Sequence, residues 1–238
     1  MSGATWRTEL TRIRPLSSID WVAPYTREAL DAQRYVLDPL ADTLMARLRQ
    51  EHKVRRPADM LALVRQKARS EGGIYQEFLD VCNEVPDWAD FEAMKPGQRL
   101  IASAFPFMGL SLLTGSLVGA YVFWKATAVT GLTGRLGTPG DISRRLVETG
   151  KLVFQMSRPA ELQPGGQAHD ILMRVRLLHA AIRQWVKESG RWKIEKWDEP
   201  INQEDLAVTL SEFSFMNMRS LLRMGLTLSD EEIESHYL

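Results

Sequence analysis

The sequence predicts an all-α protein from the periodicity of its apolar residues and from the residues that interrupt it. Several segments repeat apolar side chains at steps of three and four, as one face of a helix does. Prolines, glycines and capping residues stand at the ends of these segments. No segment shows the sustained apolar and polar alternation that is typical of a strand. A chain of 238 residues is long enough for one large helical domain with a sizeable core, or for two small ones.

The first third of the chain predicts a series of short helices. Residues 1–24 contain two prolines and are expected to form an arm or a short first element. Leucines follow a helical stripe through residues 26–50, with Pro39 as a break. The next helix, 57–70, opens with proline and ends before two glycines, and a short helix at 74–83 follows it. These segments make up an N-terminal helical region, 1–84.

Residues 100–124 form a run of 25 residues without a formal charge. By length alone this run qualifies as a membrane span. It contains a proline, glycines and hydroxyl side chains, however, so the sequence favours two buried helical pieces that bend near Pro106. The Gly115 and Gly119 spacing is compatible with either interpretation.

A glycine-rich connection, 130–140, precedes the next predicted helix, 144–156, which either Asp141 or Ser143 can cap. On this helix Arg145, Glu148 and Thr149 lie at i, i+3 and i+4 and so share one face. They form either a functional polar cluster or a surface ion pair beside a threonine bonded to its own helix.

His179 lies at the centre of a helix predicted for residues 172–187. Its face of this helix is largely apolar, with Arg176 one turn before it and Arg183 one turn after it. A neutral imidazole in that setting suits an axial ligand of haem iron, and the guanidinium groups can reach haem propionates. The alternative is a core histidine that is hydrogen-bonded to a carbonyl.

A long apolar helix, 205–222, and a capping-box start at Ser229 and Glu232 complete the predicted elements.

Composition excludes several classes of protein. With 30 basic and 30 acidic residues the net charge is zero, so nucleic acid is not an expected partner. The one cysteine, Cys82, allows neither an internal disulfide nor a cysteine-based metal cage. The start of the chain lacks a secretory pattern, so a cytoplasmic location is expected. Nucleotide-binding, hydrolase and zinc-protease motifs are absent from the sequence.

Motifs in a fixed order resemble the catalytic domain shared by bacterial rubber oxygenases (latex clearing proteins) and fungal mpaB-type oxygenases. They are V-P-x-W at 85–88, R-R-L-V-E-T-G at 144–150, R-V-R-L-L-H-A-A-I-R at 174–183 and P-I-N-Q-E-D-L-A at 200–207. The resemblance implies a helical bundle that encloses a b-type haem, formed mainly by a core region, 85–238, within one compact domain.

The resemblance also implies roles for single residues. His179 matches the proximal histidine of the R-x-x-H motif. Arg145 and Thr149 match the outer positions of the distal R-x-x-K-T motif, with Thr149 30 positions before His179. Glu148 replaces the lysine of that motif, which is more similar to the mpaB-type branch. A carboxylate at this position can accept a proton or pair with Arg145.

The resemblance therefore implies a haem b-dependent oxygenase that uses dioxygen and an apolar, isoprenoid-like substrate. One alternative is a haem protein of the same fold that hydroxylates, or oxidises with peroxide, a small natural product. A second alternative is a cofactor-free helical scaffold or membrane-associated protein. No stable membrane span is expected, and a homo-oligomer is left open.

Overall fold

The computed structural model describes residues 25–52, 57–120, 124–134 and 138–238. Every regular element within these ranges is helical, so the predicted all-α class is confirmed. The arm predicted for residues 1–24 lies outside the described residues.

The helices are numbered here in chain order, with one π-helical segment in the middle of the chain. They are α1 (Arg27–Gln33), α2 (Pro39–Glu51), α3 (Pro57–Glu71), α4 (Ile74–Asn83), α5 (Lys95–Ser103), α6 (Phe105–Ser111), the π-helix (Leu112–Ser116), α7 (Leu117–Ala120), α8 (Trp124–Leu132), α9 (Pro139–Met156), α10 (Gln167–Glu188), α11 (Ile194–Trp197), α12 (Gln203–Phe213), α13 (Phe215–Arg223) and α14 (Asp230–Tyr237).

A first hydrophobic core joins α2, α3, α4 and α10. Its fully buried side chains include Leu44 of α2, Leu61 of α3, Phe78 of α4 and Leu177 of α10. Removing such side chains from water is the main source of their stabilising energy. The helix that carries His179 is therefore anchored on the N-terminal helices.

A second core joins α5, α6, α13 and α14 through side chains such as Met108, Leu221 and Ile233. Helices α5 and α14 approach each other at Gly97. A Cβ atom at that position would lie 2.7 Å from the backbone nitrogen of His236, so glycine is needed there.

Several predicted boundaries are corrected by the structure. The break expected at Pro39 is confirmed, because α2 begins there and the Asp38 side chain caps it by accepting from the Ala41 amide at 3.1 Å. Neither Asp141 nor Ser143 caps α9. Thr138 does so instead, because the helix begins at Pro139.

The two long C-terminal helices also differ from their predicted bounds. The helix of His179 begins at Gln167, five residues earlier than predicted. The long helix predicted over 205–222 is divided at Ser214, whose ψ of −90° lies outside the helical region and separates α12 from α13.

The uncharged run bends where proline predicts a bend. Helix α5 ends at Ser103 and α6 begins at Phe105, and the helical axes on either side form an angle of 85°. The prediction of two buried pieces is only partly right, because Phe107, Leu110 and Val118 are about half exposed on the side of α6 and α7 away from the core. None of the described helices is by itself long and apolar enough to cross a bilayer, whereas this bent pair together passes the length and composition test.

Candidate functional site

His179 lines a cavity of about 660 Å³ between α4, α10, α12 and the start of α2. Apolar side chains form much of its wall, among them Leu37, Leu172, Val175 and Leu206. This volume lies within the range of small-molecule and cofactor sites, which is roughly 300 to 1,000 Å³. The cavity is therefore the first place to look for a ligand.

The His179 ring is neutral and unbonded. Burial and, to a smaller extent, the charge of Arg183 lower its pKa to about 4, while Asp38 acts in the opposite direction. No described residue forms a hydrogen bond with the ring. The alternative from the sequence, a core histidine that is hydrogen-bonded to a carbonyl, is therefore not observed among the described residues. A ring nitrogen lone pair is available to a ligand in the cavity.

Arg176 lines the same cavity but is held by protein groups. Its Nε and Nη2 atoms donate to the two carboxylate oxygens of Asp38 at 2.6 and 3.0 Å, and Nη1 donates to Cys82 Sγ at 3.3 Å. Burial raises the pKa of Asp38, but the hydrogen bonds from Arg176 and from the Ala41 amide outweigh it and lower the pKa. A guanidinium has five N–H donors, so two remain for a ligand.

Arg183 is almost completely buried, with 2% of its side chain exposed. Its Nε and Nη2 atoms lie 2.8 and 2.7 Å from Asp42 Oδ1, and Nη1 donates to the Ile201 carbonyl at 3.4 Å. Together with the Arg176 pair, this contact fixes the first turn of α2 against α10. Both arginines predicted for cofactor binding therefore have a structural role at the cavity wall.

The predicted distal cluster of Arg145, Glu148 and Thr149 does not line the His179 cavity. Glu148 accepts a hydrogen bond from Arg144 Nε at 3.1 Å, rather than from Arg145, and both side chains of this pair are exposed. The structure thus brings the three predicted residues together on one helix but not next to His179.

Helix α9 contacts other helices through its C-terminal end. Val153 enters the second core, the Phe154 ring packs edge-on against Phe105 at 5.6 Å between centroids, and Gln155 donates to Gln167. Apolar side chains nearer its start, such as Ile142 and Val147, are about half exposed. The half of α9 that carries the predicted polar cluster is thus open to a ligand or a further chain segment.

Sequence reasoning missed Asp38, Asp42 and Gln203 as site residues. The first two were indistinguishable from ordinary residues of a helix start, because their partners lie 138 and 141 positions away. Gln203 lines the cavity and belongs to the P-I-N-Q-E-D-L-A motif, so its motif was the available signal.

Within the part of the chain that the structure describes, no three His, Cys, Asp or Glu side chains cluster as ligands of a metal ion. A haem iron does not require such a cluster, because the protein supplies only axial ligands. A single histidine is therefore sufficient for that type of site.

Comparison with known proteins agrees with the motifs. The family model of the ER-bound oxygenase mpaB/B'/Rubber oxygenase catalytic domain matches residues 105–238. A Rubber oxygenase from Streptomyces sp. (strain K30) is 25% identical over 212 residues, which cover 85% of this chain and 50% of that protein. The chain thus spans about half the length of this curated relative. No solved structure matches significantly. The match over more than half of the chain shows that it belongs to the mpaB and rubber oxygenase catalytic-domain family.

Proposed function

We propose that this protein is a haem b-dependent oxygenase that acts on an apolar, isoprenoid-like substrate, with His179 as the axial ligand of the iron. One observation carries the proposal: a neutral imidazole without a hydrogen-bond partner among the described residues faces a cavity of about 660 Å³. Membership of an oxygenase family and the similarity to a Rubber oxygenase support the same conclusion.

The residues of the cavity suit a haem in their chemistry. His179 offers a lone pair, and the apolar wall favours a flat hydrophobic ring. Arg176 keeps two N–H donors that can bind a propionate without loss of its bonds to Asp38. Arg183 is buried against Asp42 and serves mainly to position α10. When bound, ferrous haem supplies the reduced iron at which dioxygen is activated.

The chain contributes an apolar wall and keeps the His179 imidazole neutral. The charge of Arg183 and the burial of His179 keep the imidazole deprotonated across the neutral pH range. The two ion pairs between the start of α2 and α10 fix the position of the cavity wall at these two helices. Leu172, Val175 and Leu206 give the substrate an apolar surface.

The resemblance assigns Arg145 and Thr149 to hydrogen bonding and Glu148 to proton acceptance, but none of the three lines the cavity of His179. Glu148 Oε1 accepts a hydrogen bond from Arg144 Nε at 3.1 Å, and both side chains are exposed. A general base must lie within hydrogen-bond reach of the proton that it accepts. These roles therefore stay predictions from the resemblance, and the proposed reaction at His179 does not depend on them.

Oxygen uptake and product analysis on a linear isoprenoid alkene test the proposed reaction. The haem-loaded protein is expected to consume dioxygen and to yield a pair of carbonyl products. His179→Ala should lower this activity at least about a hundredfold. His52→Ala is the matched control, because His52 lies at the end of α2 and does not line the cavity.

Two outcomes separate the candidate reactions. A single oxygenated product instead of a carbonyl pair would favour the hydroxylation alternative. That alternative is kept because Glu148 replaces the lysine of the R-x-x-K-T motif. Equal activity of the His179→Ala and wild-type proteins would contradict the proposal.

A further inference from the structure

A second cavity, of about 470 Å³, adjoins the one that contains His179. The same three helices, α4, α10 and α12, line both cavities. On α4, Val81 lines the first cavity and its neighbour Cys82 lines the second. On α12, Leu206 lines the first and Leu210, one turn later, lines the second. The two cavities therefore lie side by side along these three helices.

A polar contact lies between the two cavities. Arg176 lines the first cavity and donates through Nη1 to Cys82 Sγ, which belongs to a residue that lines the second. His169 also lines the second cavity. Its Nε2 lies 2.8 Å from the Cys82 carbonyl, whereas its buried Nδ1 has no partner among the described residues. A ligand in the second cavity would thus lie beside the cavity that His179 lines.

The wall of the second cavity suits an uncharged, apolar molecule. Val85, Phe91, Ile101 and Leu162 line it, and Trp88 lines it while remaining 66% exposed, so the cavity reaches the surface. Among the described lining residues there is no arginine or lysine that would bind a carboxylate or phosphate. A volume of this size holds a small natural product.

Gln98 provides a hydrogen-bond acceptor in this wall. Its Nε2 atom donates to the carbonyl oxygens of Met156 and Arg158 at 3.2 and 3.4 Å, which fixes the orientation of the amide. The Oε1 atom of the side chain accepts from no described residue. It is thus available to a donor on a ligand.

His236 provides a second acceptor. Its Nε2 lies 3.2 Å from the Phe213 carbonyl, which can only accept, so this nitrogen carries the proton. Burial lowers the pKa of His236, although the bond to Phe213 raises it, so the ring is neutral at pH 7. Its Nδ1 lone pair is then left for a ligand.

We propose that the second cavity is a binding site for an apolar molecule that carries a hydroxyl group, whose proton is accepted by Gln98 or His236, with the unpartnered Nδ1 of His169 as a further acceptor. Such acceptors in an apolar wall without a cation select an alcohol over a carboxylic acid and over a hydrocarbon. The further identification of this molecule as the substrate rests on the function proposed above, whereas its binding does not.

Isothermal titration calorimetry tests the inference with three probes of one carbon skeleton: farnesol, farnesoic acid and farnesene. We expect farnesol to bind at one site. Farnesoate should bind at least about tenfold more weakly, because its charge has no partner in the cavity. Farnesene should bind several-fold more weakly, because it leaves the buried acceptors without a donor.

Cavity-filling variants locate the site. Ala89→Phe places a ring in the cavity and should weaken farnesol binding at least about tenfold, or 1.4 kcal/mol. Ala93→Phe is the matched control, because it lies one turn further along the same loop and lines neither cavity. Leu162→Trp serves as a second filling variant if Ala89→Phe does not fold.

Gln98→Met tests the polar contact separately from the shape. This variant should lose part of the preference for farnesol over farnesene while its affinity for farnesene persists. Equal affinity of the wild type for all three probes, or farnesol binding that Ala89→Phe leaves unchanged, would overturn the inference.

The same titrations in the His179→Ala variant separate this inference from the proposed function. Farnesol should bind that variant as it binds the wild type, whether or not haem is bound. A protein that binds haem through His179 but does not bind farnesol would refute the second site alone.

Discussion

At the residue scale, the structure shows what two arginines near His179 contact. The sequence placed Arg176 and Arg183 on the face of His179 and predicted contacts with a cofactor. In the structure each of them pairs with an aspartate at the start of α2. A helical wheel cannot find such partners, because they come from a distant part of the chain. The wheel does place His179 on a largely apolar face, because that position depends only on local spacing.

The depressed pKa of His179 predicts a specific loss of stability in acid. The unfolded chain takes up a proton near pH 6.5, whereas the folded His179 does so only near pH 4. The unfolded state therefore binds more protons between these values, and stability falls as the pH falls. From pH 7 to pH 4 this contributes up to about 3 kcal/mol.

Urea unfolding of the haem-free protein across this pH range measures that loss. The His179→Gln variant should lose less stability than the wild type, because its side chain does not titrate. Asp38 also loses stabilising ionisation in acid, so only the difference between the two proteins reports on His179. Parallel pH profiles for the two proteins would show that the imidazole is not buried in its neutral form.

At the element scale, helix positions follow from the sequence but several boundaries do not. Pro39 and the residues around Pro106 gave correct breaks, because proline acts locally. The division at Ser214 has no local signal, since residues 205–222 contain neither proline nor glycine. The break at Ser214 directs Met218 and Leu221 of α13 toward the second core. Packing of that kind overrides an apolar pattern that is continuous in sequence.

Two glycine substitutions test the close approach of α5 and α14. Gly97→Ala should destabilise the protein by about 1 to 3 kcal/mol, because the new Cβ meets the backbone of His236 and Ser235. Gly150→Ala on α9 is the control. Its Cβ meets nothing within 4 Å, so the change should stabilise the helix by roughly 0.5 to 1 kcal/mol. Thermal and urea unfolding of both variants measure this, and equal effects would contradict the packing at Gly97.

At the scale of the whole molecule, α10 joins the N-terminal helices to the rest of the chain. The sequence predicted regions 1–84 and 85–238 within one compact domain, and that division stays a prediction. Leu177 and Ala180 of α10 are fully buried against α2, α3 and α4. The sequence pattern shows that these residues face a core, but it cannot say which helices complete it.

A fragment of residues 85–238 should therefore fail to fold cooperatively. It would expose the first-core face of α10 and leave Arg183 without Asp42. We expect weak near-ultraviolet circular dichroism and a broad urea transition from this fragment, compared with the full chain. A sharp transition with native-like aromatic signals would show instead that region 85–238 is independent of the N-terminal helices.

The most direct test of the central claim is the absorption spectrum of the protein purified from haem-supplemented cells, recorded beside the His179→Ala and His52→Ala variants. The account predicts a Soret band in the wild type and in His52→Ala, and its loss or clear shift in His179→Ala. A folded wild-type protein without a Soret band, or a band that His179→Ala leaves unchanged, would contradict the assignment of His179 as the iron ligand.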